Sequence, residues 1–312
     1  MKKVFALLTL FAALVSCGNK DNPAEEVEKI PTVAPAKEAQ KAYKLTFTTP
    51  SQNVSVNVQT GTAQEVYAVK YLDFMPDGSY CGYTEGEPLK GTSLRHYFSG
   101  SYTTDSDGAY NLAGAIEGKL KIVNDNSFQF TPKGGTTPTV LTGSGAPNTP
   151  STDLQNALCT KWKINQIEAT IEQPSVKHTW TGTEASDVEA ICKYINNKGG
   201  TIDLNKVKGY VVKNISLSPT SVTVNFTSSA IEPIMGSWSF SNITDRKFHY
   251  DMSQTVSGEF ISGTADGVID FKKVSGDTYV YDASGNNILV TVTVQSNKLT
   301  GKVLFALVKD NS

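Results

Sequence analysis

The 312-residue chain is 39% hydrophobic and 19% charged, with a formal net charge of −2. That apolar fraction excludes a disordered polymer, and near-neutrality provides no global field to collect nucleic acid or acidic ligands. Of 28 basic residues only Arg95 and Arg246 are arginine, so a phosphate-reading surface would lack its usual bidentate fork, and no nucleic-acid partner is expected.

Met1-Lys2-Lys3 is a short positive end, followed by the apolar run Val4 to Val15. About a dozen apolar residues is too short to span a hydrocarbon core as a helix and matches a secretory signal segment. The run ends in Leu14-Val15-Ser16-Cys17, which resembles the lipobox of bacterial lipoproteins. That resemblance implies cleavage after residue 16 and lipidation of the Cys17 sulfur. Several acyl chains, at about 0.8 kcal/mol per buried methylene, would hold the chain on a membrane durably. The tract Gly18-Asn19-Lys20-Asp21-Asn22 lacks an acidic residue directly after Cys17. It is similar to the export signal of Bacteroidetes surface lipoproteins, which implies an outer-membrane location, on the cell surface or the periplasmic face. Residues 17–42, with Pro23, Pro31 and Pro35, show no strand alternation and read as an extended tether.

Residues 43–131 read as a small antiparallel β domain. Leu45 and Phe47 alternate with polar neighbours, as do Val54, Val56 and Val58, and Pro76-Asp77-Gly78 marks a tight turn. Asp105-Ser106-Asp107-Gly108 begins like a calcium loop, but Ile116 stands where the twelfth-position Glu is needed, so a hairpin turn is expected. Residues 132–152 carry Pro132, Pro138, Pro147 and Pro150 among Gly and Thr and read as a linker.

Residues 153–312 read as a second, larger β domain. Thr152-Asp153-Leu154-Gln155 has capping-box spacing for a short helix through Leu158. Trp162 and Ile164 keep one parity and Ile167, Ala169 and Ile171 the other, which predicts a bulge near Asn165-Gln166. Ser186-Asp187-Val188-Glu189 opens a helix over 186–198, with Val188, Ile191, Cys192 and Ile195 on one face and Gly199 at the exit. This stripe needs an open mouth or flank of a barrel to cover. From Val207 onward about ten short strands with tight turns follow, the pattern of a closed barrel or a sandwich.

The order of short helix, Trp-initiated strand, Gly-Ser-Trp strand and successive hairpins resembles the lipocalin-like or calycin-like domains of Bacteroidetes lipoproteins. Leu158 to Lys163, Gly236-Ser237-Trp238-Ser239-Phe240 and Thr264 to Val268 carry the likeness, with Thr160-Lys161-Trp162 where the family has Gly-x-Trp. Phe74 to Tyr80 and Ser99 to Tyr102 give the first segment an analogous look. The resemblance implies an up-and-down barrel and binding in place of catalysis.

Chemistry-bearing constellations are sparse. His96, His178 and His249 have no second His at ligand spacing, and no nucleophile elbow, HExxH, Walker or Rossmann pattern occurs, so no enzyme, metal or cofactor is expected. Cys81, Cys159 and Cys192 are either three buried thiols or one free thiol beside a Cys159–Cys192 bridge. Aromatics are the remaining lead. Trp180, set among polar residues in a predicted loop, is either a sugar- or lipid-contacting residue or a plug for one barrel end. Tyr80, Tyr83, Tyr97 and Tyr102 form a second candidate ligand-binding cluster. The partners so implied are the membrane, through the anchor, and a small apolar molecule, a glycan or an outer-membrane protein.

Overall fold

The computed structural model describes residues 13–14, 30–31, 43–48, 54–60, 63–75, 78–85, 95–172, 175–256, 259–296 and 299–311. Cys17, most of the leader and most of the tether therefore lie outside the described residues. The chain divides into two compact units, one of Pro35–Thr149 and Ser253–Phe260 and one of Met1–Ala34, Pro150–Met252 and Ile261–Ser312. Each unit is a mostly β, eight-stranded antiparallel barrel, the smaller one first in the chain and the larger one carrying the helices. The resemblance implied an up-and-down barrel, and the choice left open between barrel and sandwich falls to the barrel.

The first barrel is built from β1 (Tyr43–Phe47), β3 (Ala63–Phe74), β4 (Ser79–Glu85), β5 (Arg95–Thr104), β6 (Tyr110–Gly114), β7 (Gly118–Asn124), β8 (Ser127–Pro132) and β9 (Thr139–Pro147). From β3 to β9 each strand pairs with the next in sequence, and β1 closes the ring by pairing with both β9 and β3. The short β2 (Ser55–Thr60) pairs with the other half of β3, outside the ring. Alternation sets the interior: Leu45, Phe47, Leu72, Phe74, Tyr80, Leu120, Phe128 and Phe130 are all buried. Phe74 meets Tyr110 at 4.3 Å and Tyr102 at 5.2 Å between ring centroids, so aromatics fill this barrel. Each such side chain contributes about 1.5–3 kcal/mol by burial.

The reading of 132–152 as a linker is corrected here, because β9 occupies its centre. Leu141, Gly143 and Gly145 face inward in a regular strand. Gly143 is required for close approach: a Cβ there would collide with the Thr46 carbonyl and stand 3.1 Å from the Phe128 ring. Glycines demanded by packing look, in sequence, like glycines chosen for flexibility.

The second barrel runs through β10 (Lys161–Ile171), β12 (Val212–Leu217), β13 (Ser221–Phe226), β14 (Ile234–Asn242), β15 (Lys247–Val256), β16 (Glu259–Asp270), β19 (Asn287–Ser296) and β20 (Leu299–Lys309). First and last strands close it through a long ladder from Trp162↔Lys309 to Ile171↔Gly301. That register slips between Ile164 and Gln166, the bulge the change of parity required. A small hairpin of β17 (Lys272–Ser275) and β18 (Thr278–Tyr281) is inserted before β19.

Helix α1 (Asp153–Leu158) is capped by the Thr152 side chain, which accepts from the Gln155 amide, while Gln155 Oε1 accepts from Ser151. Trp162 Nε1 donates to Leu158 O at 2.9 Å and ties helix to strand. Between β10 and β12 the chain inserts β11 (Val176–Thr181), a single helical turn α2 (Thr183–Ser186) and α3 (Val188–Asn197). The helix predicted over 186–198 is α3, but Asp187 is its cap: its carboxylate accepts from Ala190 N at 2.9 Å, and Ser186 ends the preceding turn. Val188, Ile191, Cys192 and Ile195 are buried as the stripe demanded. No described helix is long and apolar enough to cross a membrane.

Candidate functional site: an apolar chamber in the second barrel

Seven of the eight strands of the second barrel turn aliphatic or aromatic side chains into a shared chamber of about 100 Å³. The alternation that buries Val222 and Val224, Phe248, Tyr250 and Met252, and Ile288, Val290 and Val292 places every one of them on its wall. Ile215, Leu217 and Val290 face this space yet are only half-buried, so their apolar surface is still open to solvent-sized molecules.

The chamber's polar groups are already committed or neutral. Trp238 Nε1 donates to Ser218 O at 2.7 Å. Burial raises the Tyr250 phenol well above its ordinary value, keeping it protonated at any physiological pH. Among the described residues no Asp, Glu, Lys, Arg or His lines the space. Such a wall offers dispersion and displacement of poorly bound water, and no attraction for charge. Its strands were legible from their alternation. That they leave space between them was not, because void volume depends on barrel radius and on which rotamers meet at the axis.

Trp180 is corrected. It lies on strand β11, paired opposite Ile167, and is 4% exposed. Its ring meets His178 at 4.7 Å and Tyr194 of α3 at 5.5 Å, and His178 stacks on Tyr194 at 4.1 Å. Trp180 thus cements the inserted hairpin to α3 and presents no free face for a sugar. The polar His178, Thr179 and Thr181 beside it, read as a loop, belong to that strand.

The tyrosine cluster is split by the barrel wall. Tyr80 is wholly buried inside the first barrel, where its hydroxyl donates to Ile116 O at 3.0 Å and accepts from Ile116 N at 2.9 Å; burial pushes its pKa up to about 12. Tyr102 also points inward, its hydroxyl donating to Met75 O at 2.7 Å. Tyr80 is therefore enclosed, while Tyr102 is half-buried against the core. Tyr83 and Tyr97 stand on the outer face, half-buried, in one cross-strand row with Tyr71. Tyr71 and Tyr83 stack at 5.0 Å, and Tyr97 meets Tyr83 edge-on at 5.7 Å. Tyr71 escaped the sequence reading because only the register brings it beside Tyr83.

The Asp105–Gly108 segment is a hairpin turn with Gly108 at φ 78°. Lys119 reaches Asp105 at 2.6 Å and Lys121 reaches Asp107 at 3.3 Å, and these hydrogen bonds hold both carboxyls below their usual range. Cys81, Cys159 and Cys192 are free thiols, so the alternative Cys159–Cys192 bridge is not formed. Burial raises Cys192 to about 12, which makes it a packing residue and not a nucleophile. His249 Nδ1 lies 2.9 Å from Asp266 on the surface, and His96 falls on β5.

No family model matches the chain, and no curated protein matches it. Among solved structures, a mutant of the vaccine antigen transferrin-binding protein B from Haemophilus parasuis Hp5 is similar at 8% identity and a TM-score of 0.24, over 78% of this chain and 53% of that one. The chain therefore spans about half the length of that protein.

Proposed function

We propose that this is a non-enzymatic, lipid-anchored binding protein of the bacterial outer membrane, moored through Cys17 and holding a small apolar molecule inside its second barrel. The observation that carries the reading is the chamber of about 100 Å³ walled by aliphatic and aromatic side chains, with no carboxylate, amine or imidazole among the described residues that line it. Its size suits a compact, uncharged ligand: an engineered apolar cavity of about 150 Å³ accommodates a benzene ring. The filled first barrel supports a spacer or scaffold role for that unit. The lipobox, short signal segment and Pro-punctuated tether support the anchor.

Native mass spectrometry of protein extracted from membranes tests the ligand. A co-purifying small hydrophobic mass, lost in Val290→Phe with an unchanged melting temperature, is the expected result. No bound mass, together with no saturable change in Trp238 emission on titration with small aromatic hydrocarbons, would overturn the ligand. For the anchor, Cys17→Ala should move the protein to the soluble fraction; persistence in the membrane fraction would refute lipidation at that residue.

A further inference from the structure

The wall of the chamber changes chemistry around the second barrel. Among the described residues, strands β12, β13, β16 and β19 contribute aliphatic side chains alone. The neighbouring pair β14 and β15 contributes the rings of Trp238, Phe248 and Tyr250 and the thioether of Met252. A fourth aromatic side chain, Phe305, comes from β20. In the closed barrel β14 and β20 stand four strands apart in either direction, so Phe305 belongs to the wall across the chamber from the strand that carries Trp238.

The aromatic side is held in place by its own contacts. Phe248 and Tyr250 lie nearly parallel, 18° between planes and 5.9 Å between centroids, so their faces share one direction. The indole of Trp238 is fixed by its hydrogen bond to Ser218 O and by Phe240, which meets it edge-on at 5.1 Å. All three lining rings of this side, and Phe305, are buried. Their orientations are therefore set before a ligand arrives, which lowers the ordering cost of binding. Aromatic rings favour a second π system, stacked or edge-on, by about two- to tenfold beyond the area they bury. A saturated chain gains nothing from that term and would be served as well by an aliphatic wall. An apolar cavity of about 150 Å³ holds benzene, so the chamber of about 100 Å³ limits the buried ring system to a single small ring.

We propose that the chamber is an aromatic clamp: its ligand is a flat, unsaturated monocyclic hydrocarbon group, held between the aromatic side formed by β14 and β15 and the ring of Phe305. Saturated rings and chains are the ligands it disfavours. The inference rests on the reading of the chamber as a binding site, and adds to it the chemical class of the ligand and the residue, Phe305, that decides it. Without Phe305 the far side of the chamber is aliphatic throughout the described residues, and a ring in the chamber would meet π surface on one face only.

The test titrates the full chain with benzene and with cyclohexane and follows the methyl resonances of Ile269, Ile288 and Val290, which line the chamber. Each affinity is scaled by the compound's partition from water into hexadecane, which removes their difference in hydrophobicity. The scaled affinity for benzene should exceed that for cyclohexane by at least about threefold. Phe305→Leu keeps an apolar side chain and should reduce this preference by at least about twofold; Phe248→Leu makes the same measurement from the other side if the first variant does not fold. Ile288→Leu, an aliphatic exchange in the same wall, should leave the preference where it was. Equal or tighter scaled binding of cyclohexane overturns the clamp and leaves the chamber reading standing. So does a preference that survives the loss of the ring, or one that falls equally in Ile288→Leu. Saturable methyl shifts with neither hydrocarbon overturn the clamp and the chamber reading together.

Discussion

Replacing Gly143 by alanine separates a strand from a linker by the sign of its effect. The added Cβ would collide with the Thr46 carbonyl and stand 3.1 Å from both Phe128 Cε2 and Phe47 Cα. Two of the three obstacles are backbone atoms, and the third belongs to a ring wholly buried and held edge-on against Phe47 at 5.9 Å. None can swing aside, so the strand must shift, at an overpacking cost of about 1–3 kcal/mol. In a mobile linker the same change would stabilise the protein by about 0.4–1 kcal/mol, by restricting the unfolded chain. For a barrel of this size each kcal/mol moves the midpoint by about 4–8 °C. Tryptophan emission reads the second unit alone, because Trp162, Trp180 and Trp238 all belong to it. Tyrosine near-ultraviolet dichroism adds the first barrel's tyrosines to those of the second, so a tyrosine component absent from the tryptophan trace reads the first barrel during thermal unfolding. The tyrosine transition should fall while the tryptophan transition stays put, and the exposed control Thr136→Ala should stay within about 0.5 kcal/mol. An unchanged or raised tyrosine midpoint would refute the packing argument.

Trp180→Ala should cost about 3–5 kcal/mol, since it removes a buried indole between His178 and Tyr194; a melting temperature equal to the parent's would restore an exposed platform. Acid sensitivity should centre partly on Asp282. Burial raises its pKa, but hydrogen bonds from Ser284 and Asn287 outweigh that and leave it below the usual carboxylate range. The folded state thus favours the ionised form, so the stability gained is complete above the unfolded value near 4 and lost as pH falls through the lower folded value. Asp282→Asn should therefore be less stable at neutral pH yet lose less stability on acidification; parallel pH profiles for parent and variant would contradict this assignment.

Much of the architecture was readable in one dimension because β structure writes a period of two into the side chains. The parity switch between Ile164 and Ile167 located the bulge, and the i, i+3, i+4, i+7 stripe from Val188 located α3. Errors arose where one residue type serves two physical ends. Gly143 and Gly145 looked flexible and are instead sites of close packing. The polar flanks of Trp180 looked like a loop and are the solvent side of a strand. The tyrosines looked like one cluster, yet Tyr80 and Tyr102 lie inside the first barrel while Tyr83 and Tyr97 lie outside it.

The order of residues alone determined that this chain builds antiparallel β structure with one amphipathic helix, since alternation and capping are local properties. Tertiary structure alone decided that the strands close into two rings, and that one ring is filled by aromatics and the other keeps a chamber. Those outcomes depend on which distant strands meet and in what register. Residues such as Leu45 and Leu72, or Gly267 and Val292, carry no mark of one another until the sheet has closed.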